Sequence, residues 1–134
     1  MRAAKSQSRA DSEAAAGRRR KRERAGRLAE LLAAAFLVAK GYRILGRRVR
    51  TRLGEIDLIA VRGRRLAFVE VKYRDDATDP PKTVSRRQSD RIARAAEQWV
   101  WSHPAYRNHA FGLDIVLVSP WRWPRHLKDG LQPI

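Results

Sequence analysis

The chain has 134 residues, with 30 Lys and Arg against 14 Asp and Glu, a formal charge of +16, and no cysteine. That length fits one domain able to bury a core without staples, and the missing cysteines exclude a disulfide framework and thiolate metal sites. The charge favours a polyanionic partner, nucleic acid or an anionic membrane surface, and says nothing about fold.

Residues 1–25 hold 9 basic and 3 acidic residues, among them the run RRRKR at 18–22, and almost nothing large and apolar. Such a segment buries too little to offset its ordering entropy, so a disordered basic tail is expected, either a solvated extension or a nucleic-acid-binding arm. The remainder, 26–134, is the expected folded domain, and it is basic too. A helix follows from about 24 to 40, rich in Ala and Leu, with Lys40 in its last turn and Gly41 as a left-handed stop. Its apolar run LLAAAFLVA at 31–39 falls far short of the roughly 20 residues that span a bilayer, so no membrane partner is expected. As a signal peptide it has too long a leader and no small-residue cleavage pattern. With the absence of cysteine, this fits the reducing cytoplasm.

The stretch YRILGRRVRTR at 42–52 alternates loosely and reads as a strand. Residues 55–62 and 65–73 read as two more, joined by a glycine turn. DDATDPPKT at 75–83 is a loop. Ser85 opens a second helix, with Gln88 completing a capping box, and positions 92, 95, 96, 99 and 100 give it one buried stripe. FGLDIVLVS at 111–119 is a buried strand. Helix, three strands, helix, strand is the order of an α/β domain with a mixed central sheet and flanking helices.

The two hairpin strands carry the chemistry. With Gly63 and Arg64 as the turn, cross-strand partners sum to 127. Asp57 then faces Glu70, and Glu55 faces Lys72. Directly opposed residues share a face, so one face carries Glu55, Asp57, Ile59, Phe68, Glu70 and Lys72, polar at one end and apolar at the other. Ile56, Leu58, Ala60, Ala67, Val69 and Val71 share the opposite face. Opposed like charges are destabilising unless one is protonated, a lysine neutralises them, or a divalent cation lies between them. Hard oxygen donors so placed suit Mg²⁺. Lys72 would stand beside such an ion, able to polarise water or stabilise charge on a phosphate. The plain alternative is a solvated face with ordinary ion pairs from Lys72 to Glu55 and Asp57. Glu30 is the one non-apolar residue from 28 to 39 and is a candidate third carboxylate, or a helix residue reaching solvent.

Asp57 followed thirteen residues later by Glu70-Val71-Lys72 resembles the core of restriction-endonuclease-like nucleases. There an acid on one strand precedes an acid-x-Lys triplet on the next. More closely, GRLAE at 26–30, Gly41-Tyr42, GEIDLIA at 54–60, FVEVKYR at 68–74, LDIVLV at 113–118 and PWRWPRH at 120–126 are similar to the YraN family. These are small bacterial proteins often described as endonucleases and related in fold to archaeal Holliday-junction resolvases. The resemblance implies a restriction-endonuclease-like core. It implies Glu30, Asp57, Glu70 and Lys72 as catalytic residues, and a metal, Mg²⁺ or Mn²⁺, held by Asp57, Glu70 and the Val71 backbone carbonyl. Resolvase-like relatives imply a homodimer. The family's lysine near the start of the second helix is Arg87 or Gln88 here, and its Arg-Phe-Asp before the last strand is Gly112-Leu113-Asp114. Substrate contacts differ at both places, and Asp114 could cap or pair structurally.

The expected activity is therefore Mg²⁺-dependent hydrolysis of DNA phosphodiester bonds, on branched or single-stranded substrates. Arg48, Arg50, Arg52, Arg86, Arg87 and Gln88 are candidate phosphate contacts, each equally readable as a solubilising group. Alternatives are a nucleic-acid-binding module without turnover and an RNA-processing nuclease. The histidines at 103, 109 and 126 lack zinc spacing. Trp121 and Trp123, in a basic proline-bounded loop, are candidates to stack on bases, whereas Trp99 sits at core spacing.

Overall fold

A computed structural model describes residues 2–74 and 86–131. The first helix, α1, runs over Arg2–Ala39. Over 2–25, within the segment read as a basic tail, the backbone is helical and continuous with the helix expected from 24. Ala, Arg, Lys, Gln and Glu are strong helix formers and no proline interrupts them, which is the local preference that compositional reasoning about burial passes over. No described side chain over 6–24 is buried. Burial begins with Ala29, Ala33, Ala34 and Leu37, which pack on the sheet. The helix stops as expected. Gly41 has φ +94°, Tyr42 N–H reaches the Leu37 carbonyl at 2.9 Å, and Gly41 N–H reaches Val38 at 2.9 Å, a Schellman closure.

Four strands follow where the sequence pattern placed them: β1 (Arg43–Thr51), β2 (Gly54–Arg62), β3 (Arg65–Tyr73) and β4 (Ala110–Val118). The second helix, α2, spans Arg86–Ser102, and a 3₁₀ turn at Pro104–Tyr106 leads into β4. A short β5 (Arg125–Leu127) was not expected, since three residues show no periodicity. The loop expected at 75–83 and the Ser85 cap lie outside the described residues.

The sheet order is β1-β2-β3-β4-β5, antiparallel except for the parallel β3–β4 pair. A parallel pair needs a crossover, and α2 lies in it. Helices cover both faces. The α1 residues join Leu58, Ala60, Ala67, Val69, Val116 and Val118 in one cluster, with Tyr42 beneath the helix end. Ala95, Ala96 and Trp99 of α2 join Ile59, Val61, Leu66 and Phe68 on the other side. Period-two alternation in β2 and β3 produces this two-sided core. Ile56 departs from it. Expected beside Leu58, it packs in the α2-side cluster instead, because the β2–β3 ladder has ended before that point. Among the described residues no helix is long and apolar enough to cross a membrane.

A carboxylate cleft between the hairpin and the second helix

The hairpin register is the expected one. Leu58 faces Val69, Ile59 faces Phe68, and the pairs continue to Arg62 and Arg65. Beyond Leu58 and Val69 the backbone ladder stops, and a side chain replaces it: the Val71 N–H donates to Asp57 Oδ2 at 2.9 Å. The local sequence explains the change. Gly54, at φ +155°, starts β2 close to α2, where a Cβ would lie 3.0 Å from Arg91 Cγ. The strands open there, and the space between them and the first turns of α2 is a cleft of about 160 Å³ lined by Glu55, Asp57, Glu70, Gln88 and Arg91.

Asp57 and Glu70 therefore open into one cleft, as the register requires. Lys72 lies two residues along β3, its Nζ 3.0 Å from Glu70 Oε1. Gln88 Nε2 donates to the same Glu70 oxygen. The other oxygen, Oε2, is buried with no hydrogen-bond partner among the described residues. A buried acceptor of a carboxylate left unsatisfied is costly unless something electropositive completes it. Burial pushes the Asp57 carboxyl up to about 6; the Val71 N–H opposes the shift, and the negative charges of Glu30, Glu70 and Glu55 add to it.

Glu30 sits outside this immediate pair. Its Oε2 accepts from Arg48 Nε at 2.6 Å, and that ion pair forms the wall of a second cleft with Arg27 and Arg47. Its charge still reaches Asp57, but among the described residues no group of three or more His, Asp or Glu converges closely enough to hold one ion. Arg48 reaches Glu30 from a left-handed conformation, φ +50°, just past a bulge between Ile44 and Gly46. At Gly46 a Cβ would fall 2.6 Å from Val49 Cγ2.

The candidate phosphate contacts separate. Arg52, Arg86 and Arg87 are exposed, and Arg50 is exposed beside Glu55 at 3.7 Å, a pair that takes Glu55 from the Lys72 partnership expected of it. Arg48 is engaged with Glu30. Gln88 is half-buried on Glu70, so it belongs to the carboxylate cleft, and no spacing rule in the sequence could have marked that contact. Trp99 is buried as expected, edge-on to Phe68 and stacked on His103 at 3.9 Å. Trp121 and Trp123 are fully or nearly fully exposed. Their loop leaves β4 just beyond Val118, which pairs with Tyr73, so it stands at the same end of the sheet as Lys72.

A second polar assembly lies toward the other end of β3, around Asp114, whose structural pairing the sequence allowed but whose partners it did not name. Asp114 is fully buried and takes both guanidinium nitrogens of Arg65 at 2.7 Å. His126 Nε2 lies 2.7 Å from Asp114 Oδ2, and Lys40 Nζ lies 2.7 Å from His126 Nδ1. A lysine ammonium can only donate, which places the imidazole proton on Nε2, facing the aspartate. Burial alone would raise the Asp114 carboxyl. The bonds from Arg65, His126 and the Asp129 N–H outweigh it and hold the group well below the usual carboxylate range. Burial, then the charges of Lys128 and Arg62, pulls the Lys40 amine below its ordinary value. This assembly ties α1, β3, β4 and β5 together. The signal for it was a lone acid inside the apolar run at 113–118.

A mixed five-stranded sheet between helices, with an acid on one strand and an acid-x-Lys triplet on the next, defines an α/β protein with a restriction-endonuclease-like core. Family-model comparison matches residues 29–118 to "Uncharacterised protein family UPF0102". A UPF0102 protein of Nitrobacter winogradskyi is 52% identical over 103 residues, 77% of this chain and 87% of its own length. One from Rhodopseudomonas palustris is 50% identical over 104 residues, covering 78% and 77%. Another, from Maricaulis maris, is 48% identical over 117 residues, covering 86% and 91%. The chain belongs to the UPF0102, or YraN, family.

Proposed function

We propose that the protein is a Mg²⁺- or Mn²⁺-dependent endonuclease that hydrolyses DNA phosphodiester bonds in branched or single-stranded substrates, in the cytoplasm. The observation that carries this reading is Glu70 Oε2, buried without a partner among the described residues, in the cleft that Asp57 shares. Two hard carboxylates and open space for water suit Mg²⁺, which binds through one or two carboxylates and keeps several waters. Asp57, Glu70 and the Val71 carbonyl would hold the ion. Bound there, it would supply Lewis-acid polarisation of a phosphoryl oxygen.

The chain's own residues supply the rest. Gln88 and Lys72 fix the Glu70 carboxylate from two directions. Lys72, partly exposed and paired with Glu70, would orient the attacking water and offset the charge that grows on the phosphate. Asp57 pins the Val71 peptide and so the strand that presents the triplet. Arg50, Arg52, Arg86 and Arg87 steer and hold the phosphate backbone. Glu30, paired with Arg48 in the structure, would add its negative charge near the ion's carboxylates rather than hold it.

The test is nicking of branched and single-stranded DNA in Mn²⁺ by the wild type and by Asp57→Ala and Glu70→Gln. Cleavage by the wild type alone supports the reading; equal cleavage by all three contradicts it. A matched RNA oligomer in the same assay separates the RNA-processing alternative. The Glu30–Arg48 pair and the lack of a three-acid group among the described residues favour a second reading, a nucleic-acid-binding module without turnover. Under it, calorimetry finds DNA binding with steep salt dependence and no divalent binding at millimolar concentration.

The protein would act as a homodimer. Leu28, Leu31, Leu32 and Val38 lie exposed along α1 at coiled-coil spacing and supply an apolar stripe for the contact. Sedimentation of the wild type and Leu31→Glu checks it: loss of a dimer supports the contact, and a monomeric wild type removes it.

A further inference from the structure

A second opening lies on the α2 side of the sheet, unused by the carboxylate chemistry. It is a mostly apolar cavity of about 410 Å³. Phe68 forms its floor, and the small side chains of Ala93 and Ala96 leave the space above it. Its rims are Trp101, 79% exposed, and Phe111, 46% exposed, the latter leaning on Phe68 with ring centroids 6.4 Å apart. Glu97 and Arg107, both exposed, stand at the mouth.

We propose that this cavity receives an unpaired nucleobase from the strand whose phosphodiester backbone passes the carboxylate cleft. The proposal rests on the phosphodiesterase reading for the ligand being nucleic acid. Exposed aromatic surface beside an open cavity on a soluble chain marks a binding surface. The occupant should be flat, because the walls are aromatic rims over a ring floor. It should belong to a polyanion, because the chain carries +16 and Arg107 guards the entrance. A nucleobase meets both conditions: every base has a face that stacks on Trp or Phe, and its backbone supplies the negative charge. Glu97 and Arg107 add one acceptor and one donor for the base edge or its phosphate.

The placement also limits the substrate. A base inside a duplex cannot enter a side cavity without leaving its stack, so the cavity selects an unpaired strand. One helix serves both openings. Gln88 and Arg91 line the carboxylate cleft and Glu97 and Val100 line this one. From Gln88 to Glu97 the helix rises roughly 13 Å. A single strand lying along α2 would thus have its scissile phosphate at one end and an extruded base a few nucleotides away at the other.

The test is done in EDTA, so that no cleavage intervenes. Fluorescence anisotropy of an end-labelled single strand, a blunt-ended two-strand duplex and a single strand of abasic sites is compared for wild type, Trp101→Ala and Phe111→Ala. Trp101 is largely solvent-exposed, so its truncation leaves the core intact. The expected result is single-strand binding weakened about 5- to 100-fold in Trp101→Ala. Phe111→Ala should act in the same direction, with duplex affinity unchanged; Mn²⁺ affinity, measured separately by calorimetry without EDTA, should also be unchanged. The wild type should bind the abasic strand as weakly as Trp101→Ala binds the intact one. Unchanged single-strand binding, equal losses on single strand and duplex, or no DNA binding by the wild type overturns the proposal. So does a shift from dimer to monomer in sedimentation of Trp101→Ala, which would assign the cavity to a contact between copies. Absence of metal-dependent cleavage together with selective loss in Trp101→Ala would remove the nuclease reading and leave the base cavity standing.

Discussion

Single residues carry the sharpest consequences. The Asp57 carboxyl is raised from 3.8 to about 6, chiefly by burial in the cleft. Between those values the folded chain keeps a proton there that the unfolded chain has lost. Its contribution to stability is therefore full below about pH 4 and is lost as pH rises through about 6. Metal-free protein should lose about 1–2 kcal/mol across that window, after screening at the cleft mouth, and Asp57→Asn should flatten the profile. Urea titrations at pH 4.5 and 7.5 check it. Added Mn²⁺ should restore stability at the higher pH, because the ion takes the proton's place. Gln88→Ala leaves Glu70 held by Lys72 alone and should weaken Mn²⁺ binding or cleavage about 10–100-fold, read by calorimetry and by nicking rate. Asp114 behaves oppositely to Asp57. Its depressed carboxyl stabilises the fold above the ordinary carboxylate pKa and is lost as pH falls below it. Asp114→Ala strands a partly buried Arg65 and should cost about 3–5 kcal/mol at neutral pH, seen as a lower urea midpoint.

At the scale of elements, local rules explain most of what the sequence disclosed. Gly41 stops α1 in a left-handed conformation. Gly41→Ala should cost about 1 kcal/mol, measured as a drop in Tm, because its Cβ meets only ordinary contacts with Arg62 and the backbone strain is the whole effect. The hairpin register was legible because Gly63-Arg64 and strict alternation allow one pairing in which Leu58, Ala60, Ala67 and Val69 all face a helix. Two things were not legible. Ile56 crosses to the other core because the ladder yields to the Asp57 side chain, a tertiary event that period-two reasoning omits. β5 exists because His126 is drawn onto Asp114, and three residues carry no pattern of their own. Glu30 falls between these cases. The apolar run marked Glu30 as an exception without deciding between solvent and a polar site, and its capture by Arg48 depends on a bulge and a positive φ that nothing in RILGRRVRT announces.

For the whole molecule, charge is the dominant feature. Residues 1–25 add 9 basic and 3 acidic groups on a helix with no buried side chain described over 6–24. Removing 1–25 should leave Tm nearly unchanged and make the slope of log binding constant against log salt shallower, if that arm touches phosphate. Anisotropy at several salt concentrations measures both slopes. The mixed sheet was readable from element order, and the basic arm has helical backbone from Arg2 on, since helix preference acts residue by residue without any core to bury. The central claim is that Asp57 and Glu70 share one divalent cation. Anomalous diffraction from crystals soaked in Mn²⁺ tests it most directly. The account predicts one strong peak between the two carboxylates, within bonding distance of Glu70 Oε2, and no such peak in Glu70→Gln. A cleft without a peak, or manganese bound only elsewhere, would contradict it.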